Sequence, residues 1–333
     1  MDILDPSSFD QLQPVEAKKN KRSFLRSNAN FSGLLMLVLV VSFQLAFPIV
    51  LAVCVLFGIV SWDAVNLPYL GLGNTAYLII YTLAYVLAMG APLLLLLGRR
   101  GFNPLSPTKR VHVGVGTLGF VTAVGVCMLA NVITSYLLAL LSEVGIQAPP
   151  PPQMMVNTPV SFVLNLVVMA VLPALLEELV FRGCVLRLLR SYGDLFAVVV
   201  SSVLFGLMHG NIRQIPFAII VGLVLGWLYV ITDNIWMSIL VHFTNNAISV
   251  VCEYLEFSMT SSEAGALYFN VILRLIGAGL VALGLLMIFF RRRLELRKNA
   301  IGLSFWNRVY SLITAPAFVG SVALFIVLML LEM

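Results

Sequence analysis

The stretch Leu172-Pro-Ala-Leu-Leu-Glu-Glu-Leu-Val-Phe-Arg-Gly183 sets two adjacent carboxylates and a guanidinium inside a segment otherwise apolar enough to lie in lipid. Ionisable groups at bilayer depth are costly and rare, so they mark a functional site and demand a partner. Helical geometry supplies one. Glu178 and Arg182 are four residues apart and share a face, whereas Glu177 is turned about 100° from Glu178. The spacing predicts that Glu178 pairs with Arg182 and that Glu177 finds no partner on its own helix. A carboxylate left free in this way can take a proton from water, provided something opposite it completes the chemistry.

The rest of the chain decides what surrounds that stretch. Of 333 residues, 60% are hydrophobic and 11% charged, and the mean hydropathy is +1.01. A soluble domain would be about a quarter charged, so the composition predicts an all-α, polytopic transmembrane bundle. The net charge of +5 lies in basic residues at the ends of apolar runs. It therefore reports membrane topology and gives no indication of nucleic-acid binding. Cys54, Cys127, Cys184 and Cys252 are scattered through apolar runs without a CxxC pair, which reads as small core residues and not a disulfide frame or metal site. The long polar N-terminus followed by an overlong apolar run argues against a cleavable signal peptide.

Residues 1–30 read as a polar tail, with Lys18, Lys19, Lys21, Arg22 and Arg26 held against an anionic leaflet and no fixed structure. Apolar runs of about 20 residues or more, long enough to span a bilayer, follow near 32–58, 74–98, 112–141, 160–190, 195–213, 215–231, 235–254, 268–290 and 312–332. This gives about eight or nine spans, the short runs between 195 and 254 being the least distinct. The organisation reads as a tail (1–30), N-terminal spans (31–159), a core carrying the polar groups (160–255) and C-terminal spans (256–333). Nine spans put Arg99, Arg100, Lys109, Arg110, Arg187, Arg190, Arg291–Arg293, Arg297 and Lys298 on the side of the N-terminus. They put Asp63, Glu143, Glu253, Glu256 and Glu263 opposite, with Arg213 as the one dissenting charge. The positive-inside rule makes the first side cytoplasmic. One outer loop holds Pro149–Pro152, an extended stiffener.

Polar groups at depth concentrate between about 165 and 250. After Glu177, Glu178 and Arg182 come Phe205-Gly-Leu-Met-His209 and His242-Phe-Thr-Asn-Asn246, each with its end residues on one helical face. The turn at Ser191-Tyr-Gly-Asp194 makes the fourth and fifth spans a hairpin. Glu177 lies about 20 Å before that turn and His209 about 22 Å after it, so the two reach similar depth. His242 is only about 12 Å beyond the turn at Thr232-Asp-Asn234, and reaches the same depth only if that turn is recessed. A lone membrane histidine is commonly an interhelical tie, and a Glu–Arg pair is commonly structural. An unpartnered Glu, two His and an Asn on neighbouring spans make a poor passive core. There is no HExxH zinc helix, no Gly-x-Ser-Gly nucleophile and no GxGD pair of aspartates, which leaves a carboxylate–histidine site.

The ordered set Glu177-Glu178-x-x-x-Arg182, Phe205-x-x-x-His209 and His242-x-x-x-Asn246 resembles the three-motif pattern of the CPBP family, the type II CAAX-prenyl-endopeptidase and bacteriocin-processing (Abi) intramembrane proteases. The resemblance covers about residues 160–255. It implies a conical intramembrane cavity and a water held by Glu177 and His209. It implies further that His242 and Asn246 receive the oxyanion, with Glu178, Arg182 and Phe205 in support. No cofactor is expected; a zinc version with Glu177, His209 and His242 as ligands is the alternative. The expected partners are a peptide or small-protein substrate and membrane lipids, and no nucleic acid. The Lys/Arg pattern and the lack of a eukaryotic retention signal point to a bacterial plasma membrane, where secreted-peptide precursors or small membrane peptides are expected in place of prenylated proteins. The rival class is a non-catalytic immunity or scaffold protein, or a transporter with a polar midplane site.

Overall fold

The computed structural model describes residues 14–97, 103–146 and 156–331. Every regular element among them is helical: α1 (Pro14–Leu56), α2 (Asn74–Leu97), α3 (Val113–Glu143), α4 (Pro159–Tyr192), α5 (Asp194–Met208), α6 (Ile215–Thr232), α7 (Ile235–Ser258), α8 (Ser261–Phe289), α9 (Phe305–Ile313) and α10 (Pro316–Leu331). Seven of these are long and apolar enough to cross a membrane, and the α9–α10 pair, bent by 73°, makes an eighth if it counts as one span. The chain is thus a polytopic helical bundle. Large apolar side chains such as Leu94, Ile133, Leu273 and Met287 point outward, as contact with lipid requires.

Two expectations change. The run near 195–213 is not one span. Its helix α5 has 15 residues, about 22 Å against a hydrocarbon core of about 30 Å. It ends because Gly210 takes a left-handed backbone (φ +66°) that closes a helix C-terminus. The polar stretch expected to lack structure is helix from Pro14 onward. Leu25 and Ala29, one turn apart, give it a fully buried inner face. Asn28 donates to the Leu188 carbonyl at 3.2 Å, and Arg22 bonds to Asn307. Residues 1–13, Arg99, Arg100 and Pro149–Pro152 lie outside the described residues.

The larger core joins α1, α2, α4, α5, α6 and α7 with the C-terminal helices, through residues such as Met36, Met89, Phe181, Tyr192 and Tyr229. A smaller one joins α3, α6, α7 and α8. Helices α3 and α8 cross at Gly125 and Gly279, where a Cβ on either glycine would come within 2.7–2.8 Å of the other's Cα.

One end of the bundle gathers basic residues from several elements. Asp233, in the left-handed turn between α6 and α7, accepts from Lys109 at 2.8 Å, from Arg297 at 2.5 Å and from Arg190. The loop before α3 lies over this turn. The Lys109 N–H donates to the Asp233 carbonyl at 3.1 Å, the Ile235 N–H donates to the Pro107 carbonyl at 3.2 Å, and the Asn234 side chain donates to the Lys109 carbonyl at 2.8 Å. Arg187 in turn holds the carbonyls of Asn103 and Ser106 at 2.7 and 3.2 Å. The turn is therefore recessed beneath its loop, which is the condition His242 needed.

Candidate active site

Helix α4 is not uniform. Two wide π-type segments, Leu166–Val171 and Phe181–Leu186, flank an α-helical piece, Leu172–Val180, that carries both glutamates. Such bulges re-aim side chains and occur often at functional sites. Pro173 has no N–H, so it cannot serve the Met169 carbonyl four residues back. Asn246 of α7 serves it instead, with Nδ2 donating at 2.9 Å. One helix's missing donor thus fixes a side chain on another.

The predicted Glu178–Arg182 pair is present and buried, at 2.7 Å and with side-chain exposures of 0% and 1%. Its remaining donors and acceptors are met in part: Glu178 Oε2 and Arg182 Nε are buried without a hydrogen-bond partner. Arg182 Nη2 donates to the Gly222 carbonyl at 3.1 Å, and its guanidinium lies 4.6 Å from the centre of the Phe205 ring. The α5–α6 contact leaves no room for larger residues here: a Cβ on Gly222 would sit 3.0 Å from the Ser202 Cα, and one on Gly206 would sit 2.3 Å from Ile219 Cγ1. Glu178 Oε1 also accepts from His242 Nδ1 at 3.0 Å. Phe205 meets the rings of Phe181, His209 and His242 edge-on, with centroids 5.1, 5.1 and 5.8 Å away.

Glu177 stands apart from this pair, as the helix geometry predicted. Its Oε1 accepts from the Tyr85 hydroxyl of α2 at 2.9 Å. Its Oε2 is buried without a hydrogen-bond partner, and His242 Nε2 is 3.9 Å away. His209 caps the end of its own helix. Its Nδ1 bonds to the Phe205 carbonyl at 2.8 Å, one of the terminal carbonyls that a helix leaves free. A carbonyl only accepts, so Nδ1 carries the proton, and in the neutral ring Nε2 offers a lone pair.

Glu177, Phe205, His209, His242 and Asn246 all line one cavity of about 580 Å³, and Glu178 and Arg182 lie behind it. The seven residues singled out in the sequence therefore come together. The imidazole that approaches Glu177 directly is that of His242; His209 joins by lining the same space. Sequence reasoning did not find Tyr85, which reads as one more aromatic in an apolar run. Nor did it find Asn245, whose Nδ2 donates to Asn246 Oδ1 at 3.0 Å and so fixes which end of that amide is the donor. The Asn245–Asn246 doublet was the visible signal. Among the described residues no three His, Cys, Asp or Glu side chains are grouped as metal ligands.

Residues 159–248 match the family described as type II CAAX prenyl endopeptidase Rce1-like. Over 107 residues the chain is 28% identical to a Bacillus subtilis protein named "Putative membrane peptidase YdiL", in a match covering 30% of this chain and 44% of the relative. The chain thus spans less than half of that relative's length. No solved structure matches it. The matched segment opens on the first turn of α4, closes inside α7 and contains all seven residues of the cluster. Through this segment, and through it alone, the chain is similar to the type II CAAX prenyl endopeptidase Rce1-like family.

Proposed function

We propose that the protein is an intramembrane endopeptidase in which Glu177 activates a water molecule for attack on a peptide carbonyl. The observation that carries this reading is Glu177, which lines a 580 Å³ cavity and whose Oε2 is buried without a hydrogen-bond partner, 3.9 Å from an imidazole nitrogen. A base needs its water at about 3 Å, and the oxyanion donors must lie just beyond the carbon under attack. Glu177 takes the water proton while His209 Nε2, an acceptor in the neutral ring, holds the second hydrogen. The new C–O bond places negative charge on the carbonyl oxygen, which Asn246 receives through its amide N–H and His242 through Nε2–H as an imidazolium. Glu178, against His242 Nδ1, compensates that positive charge. The proton on Glu177 then passes to the amide nitrogen, and the C–N bond breaks to give a carboxylic acid and an amine. No covalent intermediate and no metal is required.

We place the basic end of the bundle, with Lys109, Arg187, Arg190 and Arg297, in the cytoplasm of a bacterial cell, following the positive-inside rule. The substrate is a peptide segment of a secreted precursor or a small membrane protein that enters the cavity. Glu177→Gln keeps shape and removes the base. Cells carrying it as the sole copy should accumulate uncut peptides, with processing slowed at least about 10³-fold and the protein still inserted. If the peptidome of Glu177→Gln cells matched wild type, the scaffold or transporter reading would replace this one. Chelation tests the zinc version: processing by purified protein should survive phenanthroline, and loss restored by zinc would overturn the metal-free mechanism.

A further inference from the structure

We infer that Tyr85 of α2 is a positioning residue for the Glu177 carboxylate, holding Oε1 so that Oε2 faces the cavity. The inference rests on the reading of Glu177 as the base. Terminal carboxylate torsions are broad and roughly two-fold, so an unrestrained glutamate exchanges its oxygens freely. A phenol has one hydrogen to donate, and here its acceptor is Glu177 Oε1 at 2.9 Å. Both partners are at least nine-tenths buried, so no bulk water replaces the bond if it is lost. The phenol is itself fixed. Its ring meets Phe43 of α1 edge-on at 5.9 Å, and α2 packs directly on α4. Tyr85 also bounds both the main cavity and a smaller one of about 240 Å³ between α1 and α2, so it stands at the junction of the two spaces.

This tyrosine lies outside the segment that matches the family. It brings into the site a helix that the three motifs do not supply. Around Glu177 the other charged or titratable groups are Tyr81 on α2, His242 and Glu253 on α7, His209 on α5, and Glu178 and Arg182 on α4. Among these, Tyr85 is the group recorded donating a hydrogen bond to Glu177. Removing this donor should leave the two oxygens of the carboxylate free to exchange places.

The test uses full-length protein in lipid nanodiscs and cells carrying each variant as the sole copy. Tyr85→Phe keeps the ring and its contact with Phe43 and removes only the hydroxyl. Infrared spectra follow the protonated-carboxyl band that disappears in Glu177→Gln, which needs no substrate. The expected result is a shifted or broadened band in Tyr85→Phe, because the carboxyl has lost the hydrogen bond that fixes its rotation. Pulse-labelled peptides whose processing Glu177→Gln blocks should be cut about tenfold more slowly. If Glu177→Gln blocks processing while Tyr85→Phe matches wild type in both band and rate, the positioning role is overturned and Glu177 stands as the base. If Glu177→Gln processes normally, the base assignment falls and takes this inference with it.

Discussion

The molecule holds two clusters of charge, each built around a carboxylate paired with arginine, and they are put to different uses. At the basic end, Asp233 gathers Lys109, Arg190 and Arg297, whose side chains reach solvent to different degrees: Lys109 is 65% exposed and Asp233 13%. In the core, Glu178 and Arg182 meet with no exposure to speak of, and His242 joins them. The outer cluster has four charged groups and ties a loop, a turn and two chain segments together. The inner one has fewer charges, yet every one of them touches or backs the cavity. Burial explains the contrast: in water an ion pair contributes little, while in the interior an unpaired member costs several kcal/mol.

The sharpest way to break the comparison is to unpair the inner cluster. Arg182→Met leaves Glu178 buried beside His242 without its cation, and we expect a loss of about 3–5 kcal/mol, read by denaturation in detergent. Adding Glu178→Gln should recover much of that loss, since the residual charge is then removed. Recovery of stability without recovery of processing would separate the pair's structural part from its support of His242. A smaller effect is expected at Asn246. Asn246→Ala removes the donor assigned to the oxyanion, and processing should slow by about 10²-fold or somewhat more. The Met169 carbonyl also loses its partner, but that hydrogen bond is exposed, so stability should fall by only about 0.5–1 kcal/mol. Processing unaffected by Asn246→Ala would confine this residue to serving the carbonyl that Pro173 leaves free.

The inner cluster was the more legible of the two in sequence. An i,i+4 Glu–Arg pair inside an apolar run can be read from spacing alone, and so can the separate face of Glu177. His242 could be placed only on the condition that the 232–234 turn be recessed. The turn is covered by the carbonyl of Pro107 and by Lys109 and Arg187, two residues whose charges read in sequence purely as topology. Long-range anchoring of this kind leaves no periodic trace. Tyr85 was invisible for a related reason: a hydroxyl aimed across a helix pair looks, in one dimension, like any aromatic in a membrane span. The shortness of α5 is masked because the apolar run 195–213 takes in His209-Gly-Asn-Ile-Arg213, which is the turn that joins α5 to α6. Helical order before residue 31 was missed because five basic residues obscured the narrow Leu25–Ala29 face.

The outer cluster gives the smallest effect and a distinct signature. Burial alone would raise the Asp233 carboxyl, but hydrogen bonds from Lys109 and Arg190, with the charges of Arg190 and Arg297, outweigh it and hold the group below the ordinary aspartate range. Asp233→Asn should cost only about 1 kcal/mol, as partly solvated pairs do. A carboxyl lowered in the folded state stabilises the fold fully above its unfolded value of about 3.9, and that contribution is lost as pH falls through the lowered folded value. The gap in apparent Tm between wild type and Asp233→Asn should therefore stay constant from about pH 5 upward and close below about pH 4. High salt should narrow it as well, because exposed Lys109 and Arg297 are open to screening. A gap that persists in both acid and salt would mean that Asp233 acts through the shape of its left-handed turn, and the two clusters would then differ in kind as well as in burial.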